Sequence, residues 1–318
     1  MKVVPPILPS LETVREGINE LLLVENWDSF KAKRNPIKYQ ERLHKLFTSK
    51  LKIMPLIVQP VTPNTFNFKF YRLRRYDRTM NERLISEYSY PPNSVIKYVQ
   101  RANIPYHPVF YCSDSPLTAI FETVYADPKH TKDSIYYLSE WALRKDVDLR
   151  ISPFLFNSID PVSPFRIMAD WNIEKVKEQL KEYSENQVNG YLEILNFLSQ
   201  LFVFTNTYVV TSFIAHSNLY ADHIYRPDIF IYPSVKTDRK TVNFAIHPNS
   251  VNEKLILERV FKLRVTELNK ETNACNVFIS HVGLNINGTI GWIRPNDDTE
   301  QGRKIDEDIK ILFGQKIE

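Results

Sequence analysis

Glycine is scarce in this chain of 318 residues: only Gly17, Gly190, Gly283, Gly288, Gly291, Gly302 and Gly314 are present. No two of them form G-x-G or the G-x-x-x-x-G-K-S/T loop. Loops of that kind need glycine because the backbone must take positive φ and come close to a phosphate, so Rossmann and P-loop nucleotide sites are excluded. Cysteine is scarcer still. Cys112 and Cys275 stand alone, which excludes a disulfide scaffold and reads as two buried thiols in a reducing compartment. The histidines, at 44, 107, 130, 216, 223, 247 and 281, form no H-x-x-x-H, C-x-x-C is absent, and Asp and Glu do not cluster with them, so no metal site is expected. There is no run of 18 apolar residues, and the opening MKVVPPILPS has no apolar core of a signal peptide. We therefore expect a soluble, cytoplasmic protein with no membrane partner.

What is present is a foldable chain, 43% hydrophobic and 13% aromatic, with a net charge of +4. That composition buries a substantial core. The small basic excess permits an anionic small molecule and argues against a nucleic-acid partner.

Residues 10 to 60 read as helical. Ser10 is placed to cap a first helix, and Leu11, Val14, Ile18, Leu21 and Leu22 share one face. Prolines at 36, 55, 60 and 63 punctuate this region, so a helical N-terminal extension is assigned to 1–65. From Phe66 the period changes to two, with Phe66, Phe68 and Phe70 alternating with polar or amphipathic residues as in a half-buried strand. A second strand is expected over Val109–Ser113, running through Asp114-Ser115-Pro116 into a helix with Leu117, Ile120, Phe121 and Val124 on one face. Two helices, separated near Asn189-Gly190, are read from Asn172 to Phe204. Strands are read over Thr207–Ile214, Asp228–Val235 and Thr241–Ile246, while Leu255–Val265 is open between strand and helix. Asn287-Gly288 between alternating segments predicts a hairpin with a type I′ turn. The fold class expected is α+β.

Three features point to chemistry. Counting in twos from Phe66 puts Arg72 and Arg74 on the phenylalanine face, and an inward arginine needs an anion; alternatively the strand ends at Phe70 and the arginines are solvated in a turn. Glu122 lies beside the apolar face of the helix that follows Tyr111-Cys112-Ser113, where surface decoration is the plain reading. Ser234 ends an apolar strand in Tyr-Pro-Ser; no G-x-S-x-G surrounds it and no His follows within ten residues, so it reads as a hydrogen-bonding residue and not a nucleophile. Arg72, Arg74, Arg75 and Arg78, interleaved with Tyr71 and Tyr76, offer a basic aromatic strip as a third, nucleic-acid reading.

The ordered series Phe70-Tyr71-Arg72, Arg101-Ala102-Asn103, Pro108 to Ser113, Ala119 and Glu122, Tyr232 to Val235, and Asn243 to Ile246 resembles the RES-domain family. The family is named for an Arg, a Glu and a Ser, which match Arg72, Glu122 and Ser234. The likeness covers 66–265 and leaves 266–318 as a C-terminal extension carrying the hairpin. It implies an ADP-ribosyltransferase-like β core with flanking helices, and an enzyme that consumes NAD by phosphorolysis or by ADP-ribosyl transfer. Inorganic phosphate is then a possible co-substrate, no metal is needed, and an antitoxin protein is an expected partner. The resemblance implies that Arg72 and Arg101 bind pyrophosphate or phosphate, with Asn103 beside them, and that Tyr111 packs on nicotinamide or ribose. It also implies that Glu122 stabilises charge at the anomeric carbon, and that Ser234, Ser113 and Asn243 fix ribose or amide. The family's second arginine sits among glycines, whereas Tyr98 to Pro108 contains none here. That departure motivates the alternative of a degenerate RES fold serving as a nucleotide-binding or protein-interaction module.

Overall fold

The computed structural model describes residues 7–30, 32–204, 208–269, 271–272, 274–295 and 300–313. In chain order the elements are α1 (Leu11–Leu22), α2 (Pro36–Leu51), β1 (Gln59–Val61), β2 (Lys69–Arg75), β3 (Phe110–Ser113), α3 (Pro116–Val124), β4 (Ile135–Leu143), β5 (Leu149–Pro153), α4 (Arg166–Gln179), α5 (Glu185–Phe204), α6 (Tyr208–Leu219), β6 (Ile229–Pro233), β7 (Val242–Ile246), α7 (Pro248–Lys254), β8 (Leu255–Asn269), β9 (Ala274–Ile286), β10 (Thr289–Ile293) and α8 (Glu300–Phe313). The fold is α+β. Among the described residues no helix is long and apolar enough to cross a membrane.

The chain forms two compact units. One gathers the described residues of Met1–Pro60, Pro92–Val109 and Arg150–Pro233; the other gathers those of Val61–Pro91, Phe110–Leu149 and Ser234–Glu318.

The first unit is mainly helical. Ser10 caps α1 by accepting from the Thr13 N–H, and Asn35 caps α2 by accepting from Lys38, with Pro36 at the first helical position. Tyr39, Leu43, Phe47 and Leu51 then make a buried stripe along α2 at the helical repeat. Strand β5 pairs in parallel with β6, Ile151 opposite Ile229. Over them Phe230 packs between Phe154, at 4.7 Å, and Phe202, at 5.2 Å between ring centroids.

The second unit is a sheet with helices against it, its strands ordered β7-β3-β2-β4-β8-β9-β10 and every neighbouring pair antiparallel. Asn287 and Gly288 both take positive φ, 51° and 87°, so β9 turns into β10 as the Asn-Gly pair predicts. Tyr71 and Leu73 of β2, Ile120 and Val124 of α3, and Ile305 and Ile309 of α8 share one core.

Several expectations are corrected. The segment read as a strand over Thr207–Ile214 is α6, apart from Thr207, which lies outside the described residues. Val209 through Ala215 are all buried, so the β-branched and aromatic run has no polar face to reveal a helical period, and packing overrides propensity. The break expected at Asn189-Gly190 falls instead between α4 and α5, and Gly190 lies inside α5. A Cβ there would lie 2.8 Å from the Pro9 carbonyl oxygen, so this glycine serves close approach and not a turn. The open segment beginning at Leu255 is strand β8. The sequence predicts only the hairpin in the tail; helix α8 follows it in the structure.

Candidate functional site

Strand β2 extends to Arg75, so Arg72 and Arg74 lie within the strand and are not in a solvated turn after Phe70. Their fates differ from that of a basic strip. Arg74 pairs with Glu87 at 2.9 Å and Arg75 with Asp127 at 3.0 Å. Arg72 has no carboxylate against it among the described residues. One of its terminal nitrogens donates to the Tyr111 carbonyl oxygen at 3.0 Å, and its guanidinium carbon lies 5.6 Å from the centre of the Phe110 ring. Its Nε is buried with no hydrogen-bond partner. Burial, with the Arg74 charge adding to it, pushes the Arg72 pKa down to about 10. A guanidinium kept in that state is costly unless an anion completes it.

The carboxylate is built by the strand, turn and helix that the sequence predicts. Strand β3 ends at Ser113, Ser115 accepts from the Thr118 N–H at 3.1 Å, and Pro116 opens α3. The first turn is locked further by a hydroxyl chain in which Thr118 donates to Thr241, itself 2.5 Å from the Thr237 hydroxyl. Glu122 follows on α3. Its Oε1 accepts from the Ser234 hydroxyl at 2.6 Å and from Asn243 Nδ2 at 2.7 Å. Ser113 in turn donates to Asn243 Oδ1 at 2.7 Å, and this pair faces across the β3/β7 ladder.

Ser113, Asn243, Ser234 and Glu122 thus form one hydrogen-bonded chain in which every donor points toward the carboxylate. Ser234 is fully buried, and its backbone is fixed at both ends: its N–H donates to the Thr241 carbonyl at 2.9 Å and its carbonyl accepts from the Arg239 N–H at 2.8 Å. The intervening turn places Asp238 and Arg239 at positive φ without a glycine. No cation is paired with Glu122 among the described residues. Arg72 reaches the same strand through the Tyr111 carbonyl, two residues before Ser113, while Cys112 between them is a buried thiol that burial pushes well above its ordinary pKa.

Arg101 and Asn103 belong to the helical unit. Arg101 donates to the Phe202 carbonyl at 2.5 Å and lies over the Tyr208 ring at 5.4 Å. Asn103 is buried and donates to the Tyr98 carbonyl at 3.2 Å. Both side chains hold this glycine-free loop in place.

One residue that the sequence reading used only as part of a turn is Asp114. Burial raises its carboxyl pKa to about 6, against the lowering effect of the Val242 N–H and the Thr118 hydroxyl. Its only sequence signal is its position between a strand end and a helix cap. Among the described residues no group of three or more His, Cys, Asp or Glu is placed to hold a metal ion. No protein-family model and no curated protein matches the chain.

Proposed function

We propose that this protein is a RES-domain enzyme that cleaves the bond between nicotinamide and ribose in NAD, and that it is the toxin of a toxin–antitoxin pair. The observation that carries the reading is the Glu122 carboxylate, oriented on one oxygen by Ser234 and Asn243, together with an Arg72 guanidinium that no carboxylate among the described residues neutralises.

In this reading Arg72 receives the pyrophosphate of NAD, or an incoming phosphate, through its unused N–H groups. Tyr111 offers a flat wall to nicotinamide or ribose. As the bond from the anomeric carbon to the nicotinamide nitrogen breaks, its electron pair leaves with neutral nicotinamide and positive charge develops on the ribose. Glu122 stabilises that charge through its Oε2 side, a task that needs a carboxylate held in place before the bond breaks. A phosphate oxygen then bonds to the anomeric carbon and yields ADP-ribose-1″-phosphate; a nucleophile on a macromolecule would instead take up the ADP-ribose. Ser234 serves by orientation.

The second reading, a nucleotide-binding or interaction module on the same fold, is favoured by one observation. The Arg101 guanidinium is already engaged by the Phe202 carbonyl and the Tyr208 ring.

The experiment is incubation of purified protein with NAD, with and without phosphate, following released nicotinamide. Release that requires phosphate supports phosphorolysis. Release without it, with a mass gain on a macromolecule, supports transfer. Unchanged NAD in both conditions, with NAD binding seen by calorimetry, leaves the module.

A further inference from the structure

The small net charge that argues against a nucleic-acid partner is an average over the chain. Residues 29–40 and 92–109 carry six Lys and Arg between them and no Asp or Glu, which exceeds the net +4 of the chain and leaves the remainder net negative. Both segments belong to the helical unit. We propose that the loop Lys97–Tyr106 of this unit, with the side chains gathered around it, is a binding surface for single-stranded nucleic acid. This inference does not depend on the reading of Glu122. It is also distinct from the strip Arg72–Arg78, where Arg74 and Arg75 are already paired with carboxylates.

Three pairs of a cation and an aromatic ring meet at that loop. Its ends are drawn together by a hydrogen bond from the Tyr106 N–H to the Ile96 carbonyl at 3.0 Å. The Lys33 ammonium, from the segment before α2, lies 5.2 Å from the centre of the Tyr98 ring. The Lys97 ammonium lies 5.2 Å from that of Tyr106, and the Arg101 guanidinium carbon 5.4 Å from that of Tyr208, at the start of α6. None of the three cations pairs with a carboxylate among the described residues. The three rings stay wet: Tyr98, Tyr106 and Tyr208 are 70%, 40% and 41% exposed.

A wet ring beside a cation that no carboxylate satisfies has the two parts that a nucleotide needs, a face on which the base stacks and a positive charge for its phosphate. Arg101 spends one terminal nitrogen on the Phe202 carbonyl and keeps the rest of its fork. Lys97, Tyr98 and Arg101 fall within a stretch of five residues. Chain geometry therefore holds their backbone positions within about 15 Å, so the pairs form one surface that a short strand can span. An acidic peptide or an anionic membrane would engage the cations, but neither brings flat groups to place on three tyrosine rings. Every base has a face that stacks, so binding is tolerant of sequence.

The probe is a fluorescein-labelled single strand of about ten nucleotides of mixed sequence, made as RNA and as DNA, titrated with the full chain and followed by anisotropy. Binding of either strand is expected, with log affinity falling against log salt at a slope of about −2, the value for three phosphates on a single strand. Tyr98→Ala is expected to weaken binding about tenfold, and Tyr98→Phe to keep it, because stacking needs the ring and not the hydroxyl. Lys97→Gln is expected to make the salt slope shallower by about 0.7. Both side chains are exposed, so these variants are expected to melt with the parent and to report on binding alone. No binding of either strand at low salt, a poly-glutamate peptide or phosphatidylserine vesicles bound as tightly as the strands, or Tyr98→Ala binding as the parent does would each overturn the proposal. None of these outcomes bears on whether the protein cleaves NAD.

Discussion

Ser234 and Glu122 stand 112 positions apart in the chain and are joined by a hydrogen bond of 2.6 Å between a fully buried hydroxyl and a carboxylate oxygen. Hydrogen bonds to charged groups contribute about 1.5–3 kcal/mol. Ser234→Ala is therefore expected to lower the urea midpoint by an amount equivalent to about 1–3 kcal/mol, and to slow nicotinamide release about tenfold by loosening the carboxylate. Equal stability of variant and parent would show that the bond contributes nothing to the fold.

Glu122→Gln keeps the shape and an acceptor for Ser234 but removes the charge. If the carboxylate stabilises a cationic ribose, nicotinamide release falls by about 10²–10³-fold, the range seen when one preorganised electrostatic group is removed. The melting temperature should move little. Nicotinamide release that is the same in variant and parent would sink the assignment of Glu122 as the catalytic carboxylate.

Arg72 makes the opposite trade. Its guanidinium is partly buried with one carbonyl contact and an unmatched, buried Nε, so Arg72→Met removes a largely desolvated charge that no carboxylate among the described residues neutralises. The expected outcome is a protein as stable as the parent or more stable by about 1 kcal/mol, with KM for NAD raised more than tenfold. Loss of stability with unchanged NAD kinetics would make Arg72 a structural residue.

Legibility from sequence followed the physical signal. The Ser10 cap, the Asn287-Gly288 turn and the Asp114-Ser115-Pro116 helix start are local, and each is found where local chemistry puts it. Period two carried the strand past Phe70 through Arg72 and Arg74, where a turn was the alternative. Helix α6 is not legible because a segment buried on nearly all sides carries no period, and Gly190 reads as a break because its reason, the passage of Pro9 to Leu11 against it, is tertiary. The residues around Glu122 were picked out singly, yet the order of their hydrogen bonds depends on Ser113 and Asn243 facing each other across β3 and β7, which no local pattern states.

Asp114 supplies a pH test with a definite sign. Its folded pKa, about 6, lies above the ordinary value of 3.8, so the folded state binds more protons than the unfolded state between those values. Stability from this group is then full below about pH 4, is lost as pH rises through about 6, and stays lost above. Asp114→Asn, which keeps an acceptor for the Val242 N–H, should raise the urea midpoint at pH 7.5 by the equivalent of about 1–3 kcal/mol and change it little at pH 4. A gain of the same size at both pH values would mean that the carboxyl does not titrate in this window.

Gly190 tests the packing of the helical unit directly. It sits in the middle of α5, where alanine would raise helix propensity by about 1 kcal/mol. Against that gain, the new Cβ would meet the Pro9 carbonyl oxygen at 2.8 Å and the Leu11 nitrogen at 3.1 Å, both backbone atoms that cannot rotate away. Overpacking of this kind costs about 1–3 kcal/mol, and here it falls on the start of α1, whose Leu11 N–H donates to Asn186 Oδ1 at 2.6 Å. Gly190→Ala is expected to be net destabilising and to increase amide exchange in α1 before it does so in β8. A variant that is more stable than the parent would show that α1 does not approach α5 as closely as these distances require.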